Sequence, residues 1–485
     1  MPTHDDRARE PLGFHGGLIG ALLPFVVLFV GIIWLGLAGA PDERGFWPLL
    51  LLGLVLGMGL ARDRYRYSEV IVAGMSQPLV ALMIMAWVLA GILGTVMNAT
   101  GFVDSLVWLS EAAGVSGAGY AIGAFLICCL VSTSTGTSLG TILLCAPLLY
   151  PAGGALGTSP GVLMGAIIGG ATFGDNISPV SDTTIASAST QGAEIGAVVR
   201  SRMRYALPAA ALAMVLYGVS GSGGEVPALG EAVDVPAAAA VAADRGPVAL
   251  PMLAVPAIVI GLLLAKRHLL EGLFVGAVLA SLMALALGLV EPASLFFVDA
   301  ERFTARGLLI DGIERAVGVS IFTIFLMGMV AGLEAAGVME RLVALAERNT
   351  RGASGAEAWS FATVSAAALL TTHSVVALLA VGPFTRRVGG RFGLDACRRA
   401  NILDATVCTW PFLLPYCIPT ILAASTSAAG EAVGMPRVSP LEAGMWNFHS
   451  WALLAVVLFA IATGYGRGRS TTEAPDRSSA PNPSS

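Results

Sequence analysis

The sequence predicts an all-α polytopic membrane protein built as an inverted repeat. Each half has five transmembrane helices plus one re-entrant hairpin, with broken helices at the midplane. Three observations predict it. Of 485 residues, 56% are hydrophobic and 12% charged, about half the charge of an average soluble domain, and mean hydropathy is +0.79. Apolar runs long enough to cross ~30 Å of hydrocarbon recur along the chain. The two halves also align at a constant offset of 236 residues: Gly101-Phe-Val-Asp-Ser-Leu-Val107 lies over Gly337-Val-Met-Glu-Arg-Leu-Val343, Pro147 over Pro383, and Pro179 over Pro415.

The spans read as 17–40, 46–61, 78–98, 161–192 and 205–220, then 247–265, 269–290, 317–338, 396–428 and 446–465. The apolar stretches 118–150 and 357–384 are interrupted centrally, by Ser132-Thr-Ser-Thr-Gly-Thr-Ser138 and Thr371-Thr-His-Ser374, leaving arms that suit re-entrant hairpins better than full spans. Charge favours the same arrangement. With both stretches as hairpins, 21 of the 27 basic residues fall on one side and six on the other; a full span at 118–150 would put Arg200, Arg202 and Arg204 outside. Five spans per unit is odd, so the second unit is inserted upside down. The expected organisation is a cytoplasmic N-terminal tail (1–16), a first repeat (17–220), an acidic external linker (221–246), a second, inverted repeat (247–465) and a disordered cytoplasmic tail (466–485). Segments 103–113 and 339–350 read as interfacial amphipathic helices. The first apolar run is too long for a signal-peptide core and is read as a retained span.

Composition excludes some chemistry. Lys266 is the only lysine and lies outside any GxxxxGK[ST] context, so there is no Walker A phosphate cradle and uphill transport must be ion-driven or need a partner. The six cysteines (Cys128, Cys129, Cys145, Cys397, Cys408 and Cys417) show no zinc-ligand spacing and read as packing residues. No HExxH motif is present, and nothing indicates a nucleic-acid partner or an enzyme.

The richest stretch is Phe173-Gly-Asp-Asn-Ile-Ser-Pro-Val-Ser-Asp-Thr-Thr184, which sets polar groups inside an apolar run. A charge at bilayer depth costs at least ~2.5 kcal/mol, so Asp175 and Asp182 should face protein or a wet cavity. Gly174 and Pro179 break the helix and free carbonyls beside Asn176, Ser178, Ser181, Thr183 and Thr184. Matching interruptions supply Ser134, Thr135, Gly136, Thr137 and Ser138 in the first half, and His373, Ser374, Asp404 and Thr406 in the second. Such hard oxygens suit Na⁺ or H⁺ and not soft transition metals. Single Ser and Thr residues commonly back-bond within membrane helices, so the density of the run is the signal. Asp404 has Arg398 and Arg399 nearby as neutralising partners, His373 is as consistent with core packing as with proton or substrate contact, and Glu334 and His449 are expected at the interface.

The long motif, with Thr135-Gly-Thr-Ser-Leu-Gly-Thr141 before it and Asp404-Ala-Thr406 after it, resembles the NhaC family of Na⁺/H⁺ antiporters within the ion transporter superfamily. That resemblance implies a secondary antiporter with an inverted-repeat fold and elevator-like motion. The family includes exchangers of malate and lactate. Two departures bear on the solute: some relatives carry Lys where this chain has Asn176, and Trp-Asn where it has Tyr416-Cys417. The expected function is Na⁺/H⁺ antiport, with Asp175 and Asp182 alternating between proton and Na⁺. The alternative is Na⁺- or H⁺-coupled exchange of a small organic anion or amino acid. No cofactor is expected beyond Na⁺ and H⁺ as transported or coupling ions. The expected partners are these solutes and the lipid bilayer, in the plasma membrane with both termini cytoplasmic; a homodimer is the assembly to test for.

Overall fold

The computed structural model describes residues 11–37, 43–221, 246–265, 267–300 and 303–467. The first half runs α1 (Leu18–Leu37), α2 (Phe46–Leu60), α3 (Arg64–Met75), α4 (Pro78–Ala99), α5 (Phe102–Ala112), α6 (Gly117–Thr135), α7 (Ser138–Leu149), α8 (Pro160–Ile177), α9 (Asp182–Gln191) and α10 (Ile195–Ser220). The second begins with a 3₁₀ stretch (Gly246–Leu253) leading into α11 (Ala254–Leu264) and α12 (Leu269–Ala286). A small antiparallel hairpin follows, β1 (Phe297–Asp299) on β2 (Thr304–Arg306), with Phe297 opposite Arg306. Then come α13 (Leu308–Ala335), α14 (Val338–Asn349), α15 (Gly352–Thr371), α16 (Ser374–Arg391), α17 (Ala396–Val407), α18 (Ile418–Ser427) and α19 (Phe448–Thr463). Among the described residues, five helices are long and apolar enough to cross a membrane, and further apolar helices are shorter. Side chains such as Val30, Trp34, Val55, Leu130 and Val219 are exposed on the surface. Backbone groups satisfied within helices and an apolar exterior describe a multi-pass membrane protein.

Two helical hairpins carry the tips that the sequence marks. In the first, Tyr120 near the start of α6 donates to the carbonyl of Leu149 at the end of α7 (2.8 Å), and Thr158 donates to Gly117 (2.9 Å), so the open ends lie together. The tip is Gly136, at φ +70, followed by Thr137, which caps α7 by accepting from the Gly140 amide (3.2 Å). In the second, α15 packs along α16 and the tip is Thr372, at φ +53, followed by His373. The backbone turning points recur 236 residues apart. Helix ends at Ala99 and Ala335, positive φ at Gly101 and Gly337, at Gly136 and Thr372 and at Gly157 and Gly393, and helix starts at Pro160 and Ala396 and at Asp182 and Ile418 all keep that interval.

The span read at 161–192 is two half-helices, α8 and α9, parted at 178–181; that at 396–428 is α17 and α18, parted at 408–417. Ser178 is extended (ψ 128) ahead of Pro179, the conformation a following proline imposes. Several expectations need correction. α10 starts ten residues before the span read at 205–220 and incorporates Arg200, Arg202 and Arg204, and α13 starts nine residues before 317. α3 was not anticipated; Asp63 caps it by accepting from the Arg66 amide (3.0 Å), which lets a polar segment begin a helix. Residues 11–15 of the expected N-terminal tail are docked: Leu12 donates to the Ala335 carbonyl (2.6 Å) and Phe14 is buried. At the other end the expected disordered tail begins too early, because Arg467 is bound to Glu357 (2.7 Å) on α15. Residues 222–245 of the linker and 468–485 lie outside the described residues.

The largest apolar core joins α1, α2, α4, α7, α8, α13 and α18, and a second joins α9 with α14 to α17. Helices α4 and α13 touch backbone to backbone: a Cβ on Gly91 would stand 2.2 Å from the Gly312 carbonyl oxygen. Close approach through small residues is how helices gain contact where lipid offers no hydrophobic drive.

Candidate functional site

Asp175 lies in the last turn of α8, is buried, and accepts two hydroxyl hydrogen bonds: Ser138 Oγ to Oδ2 (2.7 Å) and Ser181 Oγ to Oδ1 (2.5 Å). Both donors belong to helix starts. Ser138 is the first residue of α7 behind the hairpin tip, and Ser181 caps α9 beyond the break. The carboxylate is thus set between two helix N-termini, whose partial positive charge favours an anion there. The tip is pressed onto the break, where a Cβ on Gly136 would lie 2.8 Å from the carbonyl carbon of Val180. The neighbouring turn is as tight: a Cβ on Gly174 would fall 2.4 Å from both Ser132 Cβ and the Thr133 nitrogen, and Ser132 donates to the Ala171 carbonyl (2.5 Å).

The second-half acid is held otherwise. Asp404, fully buried on α17, pairs with Arg202 of α10 (Oδ2 to Nη1, 2.9 Å; both side chains 0% exposed). It also accepts from Ser187 (2.8 Å) and from Asn176 Nδ2 (3.1 Å). Arg202 further donates to the Asn176 carbonyl (2.5 Å), Thr184 Oγ1 (2.8 Å) and Asn401 Oδ1 (3.1 Å). A buried guanidinium that fills its donors in this way, against one carboxylate, forms a neutral structural node. Ser181 and Thr183 link the two acids, Ser181 Oγ lying 3.0 Å from Thr183 Oγ1, which is 3.5 Å from Asp404 Oδ1. Asn176 Oδ1, Thr372 Oγ1 and His373 Nδ1 are buried and have no hydrogen-bond partner among the described residues. Asn176 Oδ1 is thus an unmet hard oxygen one residue along from Asp175, of the chemical type that Na⁺ takes as a ligand.

The remaining expected site residues divide. Ser138, Ser181, Asn176, Thr183 and Thr184 join the cluster, and Ser178 is buried in the break, its Oγ 3.4 Å from the Val180 amide. Ser134 instead returns its proton to the Leu130 carbonyl (2.7 Å) on an exposed face, and Thr135 faces the Ser132 carbonyl (3.5 Å). Thr406 back-bonds to Ile402 (2.6 Å), and Ser374 donates to Val407 (3.1 Å), tying the second tip to the second break. Asp182 is exposed at the start of α9 and lies within electrostatic reach of Asp175 and His373, so the two acids of the motif do not share one enclosure. Arg398 and Arg399 do not neutralise Asp404: Arg398 pairs with Glu357 (2.9 Å), and Arg399 bonds Gln191 (3.1 Å). His449 is fully buried against Phe125 and Phe173 rather than interfacial. Sequence reasoning missed Arg202 and Ser187, and it marked Asn401 as the head of the second-half interruption without placing it in the site. Their signal was helical spacing, since Asn401 precedes Asp404 by three positions and Ser187 follows Thr184 by three, each sharing a face.

Residues 17–222 match the sequence model of the Na⁺/H⁺ antiporter family. The chain is 28% identical over 204 residues to the malate-2H⁺/Na⁺-lactate antiporter of Bacillus subtilis, covering 42% of each protein. It is 28% identical over 168 residues to the Na⁺/H⁺ antiporter NhaC of Alkalihalophilus pseudofirmus, covering 35% of this chain and 36% of that protein. The matched stretches span less than half the length of either curated relative. The resemblance read from the motif is borne out over residues 17–222, the half that carries Asp175.

Proposed function

We propose that this chain is a secondary active Na⁺/H⁺ antiporter, a transporter and not an enzyme, in which Asp175 alternates between a proton and Na⁺. The carrying observation is the setting of Asp175: a buried carboxylate held by Ser138 and Ser181 at two helix starts. A carboxylate offers roughly four lone-pair sites, and two hydroxyls leave acceptor capacity for either ion. Asn176 Oδ1 and the carbonyls of the 178–181 break complete a hard-oxygen set that suits Na⁺. Because Arg202 cancels the charge of Asp404, Asp175 is the acid left free to change its load. Asp182, exposed beside it, draws cations to the mouth of the site.

The 236-residue recurrence supports an inverted repeat divided at 221–246, with α6–α7 and α15–α16 as re-entrant hairpins entering from opposite faces, both termini cytoplasmic, in the plasma membrane. A second reading, coupled exchange of a small organic anion, draws on the unpartnered Thr372 Oγ1 and His373 Nδ1 at the second tip and on the malate and lactate exchange for which the Bacillus relative is named. Proteoliposomes carrying a lumenal pH dye, challenged in turn with Na⁺, Li⁺, K⁺ and a panel of organic acids and amino acids, decide between them. Response to Na⁺ alone supports antiport of Na⁺ and H⁺; response that requires an organic solute selects the second reading.

A further inference from the structure

A cavity of about 530 Å³ lies between α1, α14 and α15 and ends on the second helix break. It is more than three times the roughly 150 Å³ cavity that takes up benzene, and its lining is almost wholly apolar, so it offers an ordered water chain no partners. It runs from Leu18 to Phe29 on α1, eleven helical rises and hence about 16 Å. That matches the ~15 Å depth of one hydrocarbon leaflet, half of ~30 Å. At its shallow end stands Arg341, exposed and without an ion pair or side-chain hydrogen bond among the described residues. Arg341 sits on α14, a helix polar on one face and apolar on the other, as an interfacial helix should be. At its deep end is Tyr416, which donates to the Leu369 carbonyl (3.1 Å) and packs edge-on against Phe29 (4.6 Å).

We infer that this crevice is a binding site for one phospholipid with an anionic headgroup, the headgroup phosphate on Arg341 and one acyl chain reaching down to Tyr416. Apolar length, leaflet depth and the Arg341 cation at the shallow end fit that molecule together. The crevice lies on the seam between the core that holds α1 and the core that holds α15 and α16, and its floor is the second break itself, at Leu414 and Tyr416. A chain seated there contacts both bodies at once. The inference rests on reading the chain as a membrane antiporter with α14 at the interface.

The test is to reconstitute the full chain in nanodiscs of equal phosphatidylglycerol and phosphatidylcholine, extract it in detergent, and measure co-purifying lipid by native mass spectrometry. The expected result is one retained phospholipid per chain, with phosphatidylglycerol favoured about fivefold, the worth of one basic residue at an anionic surface. Arg341→Gln should bring the two lipids to parity. Ala366→Trp and Leu22→Trp, which fill the crevice from opposite walls, should cut retention at least roughly tenfold, burying an indole where the chain would sit. A melting temperature within the unmodified range shows that each variant is folded, and two independent fillers guard against one failing to fold. No retained lipid in the unmodified protein, no headgroup preference, or equal retention in the filled variants overturns the inference. Na⁺-driven proton movement, measured on the same purified protein reconstituted in proteoliposomes, separates the two readings: exchange without retained lipid overturns the lipid site alone, and the retained-lipid pattern without exchange upholds it while the antiport reading fails.

Discussion

Ser138 donates to Asp175, whereas Ser134 returns its proton to Leu130, so the two serines should respond differently to alanine. A hydrogen bond to a charged group is worth about 1.5–3 kcal/mol. Ser138→Ala and Ser181→Ala should each raise the half-saturating Na⁺ concentration at least roughly tenfold by that scale, while Ser134→Ala leaves it unchanged. Initial exchange rates against Na⁺ in proteoliposomes check this, and equal effects at 134 and 138 would contradict the assigned geometry. Arg202 carries a stability prediction. Arg202→Met strands Asp404 as a buried charge and should cost about 3–5 kcal/mol, whereas Arg202→Met with Asp404→Leu should recover most of the loss. Denaturant titration in detergent reads both, and a double variant no better than the single one would show that Arg202 serves something other than Asp404. At this scale the motif was legible because polar residues crowded an apolar run. Arg202 was not, because an arginine beside two others on a basic segment reads as a cytoplasmic marker, and only the fold shows that Arg200 is exposed while Arg202 turns inward. Asp175 and Asp182 looked equivalent for the same reason: sequence shows both acids flanking the break, and the helix restart at Ser181 is what leaves one inside and one exposed.

Between the elements, the contact of α6 with α8 is the one that positions Asp175, and it depends on an absent side chain at Gly174. Gly174→Ala would put a methyl 2.4 Å from Ser132 Cβ and the Thr133 nitrogen, both part of a rigid helix turn. Overpacking of this kind typically costs about 1–3 kcal/mol, so the variant should melt lower and lose exchange together, as tip and break are pushed apart. Unchanged melting with unchanged exchange would show that the turn has slack. Breaks were the most readable elements, since Ser178-Pro179 and the Gly136 and Thr372 turns advertise themselves by residue type and position. Helix starts were less so. α10 and α13 extend through polar or charged turns that hydropathy assigns to loops, and α3 is held by the Asp63 cap rather than by apolar content.

For the molecule as a whole, the recurrence of turning points at 236 residues supports the proposed topology, and labelling tests it. In a background lacking the six native cysteines, Ala155→Cys beside the open end of the first hairpin should label with an impermeant external thiol reagent. Gly390→Cys at the open end of the second should label only after permeabilisation. Labelling of both from one side would contradict opposite insertion of the halves. The offset was visible in the sequence as a few matched residues, but the chemistry of the two halves is not: Ser138 reaches Asp175, while Ser374, its counterpart, reaches only the Val407 carbonyl. The turns recur while the chemistry does not: Asp404 is paired with Arg202, whereas Asp175 is held by two hydroxyls. Proton and Na⁺ should compete for that acid, so apparent Na⁺ affinity falls as pH drops. Asp182→Asn should weaken Na⁺ affinity several-fold, the scale of one neighbouring charge, and leave the maximal rate intact. The most direct test of the account is lumenal pH in proteoliposomes after an external Na⁺ step, comparing unmodified protein with Asp175→Asn, in which a neutral amide replaces the carboxylate at little cost in folding. The account predicts lumenal alkalinisation in the unmodified protein and none in the folded Asp175→Asn variant; Na⁺-driven exchange by that variant at the unmodified rate would contradict it.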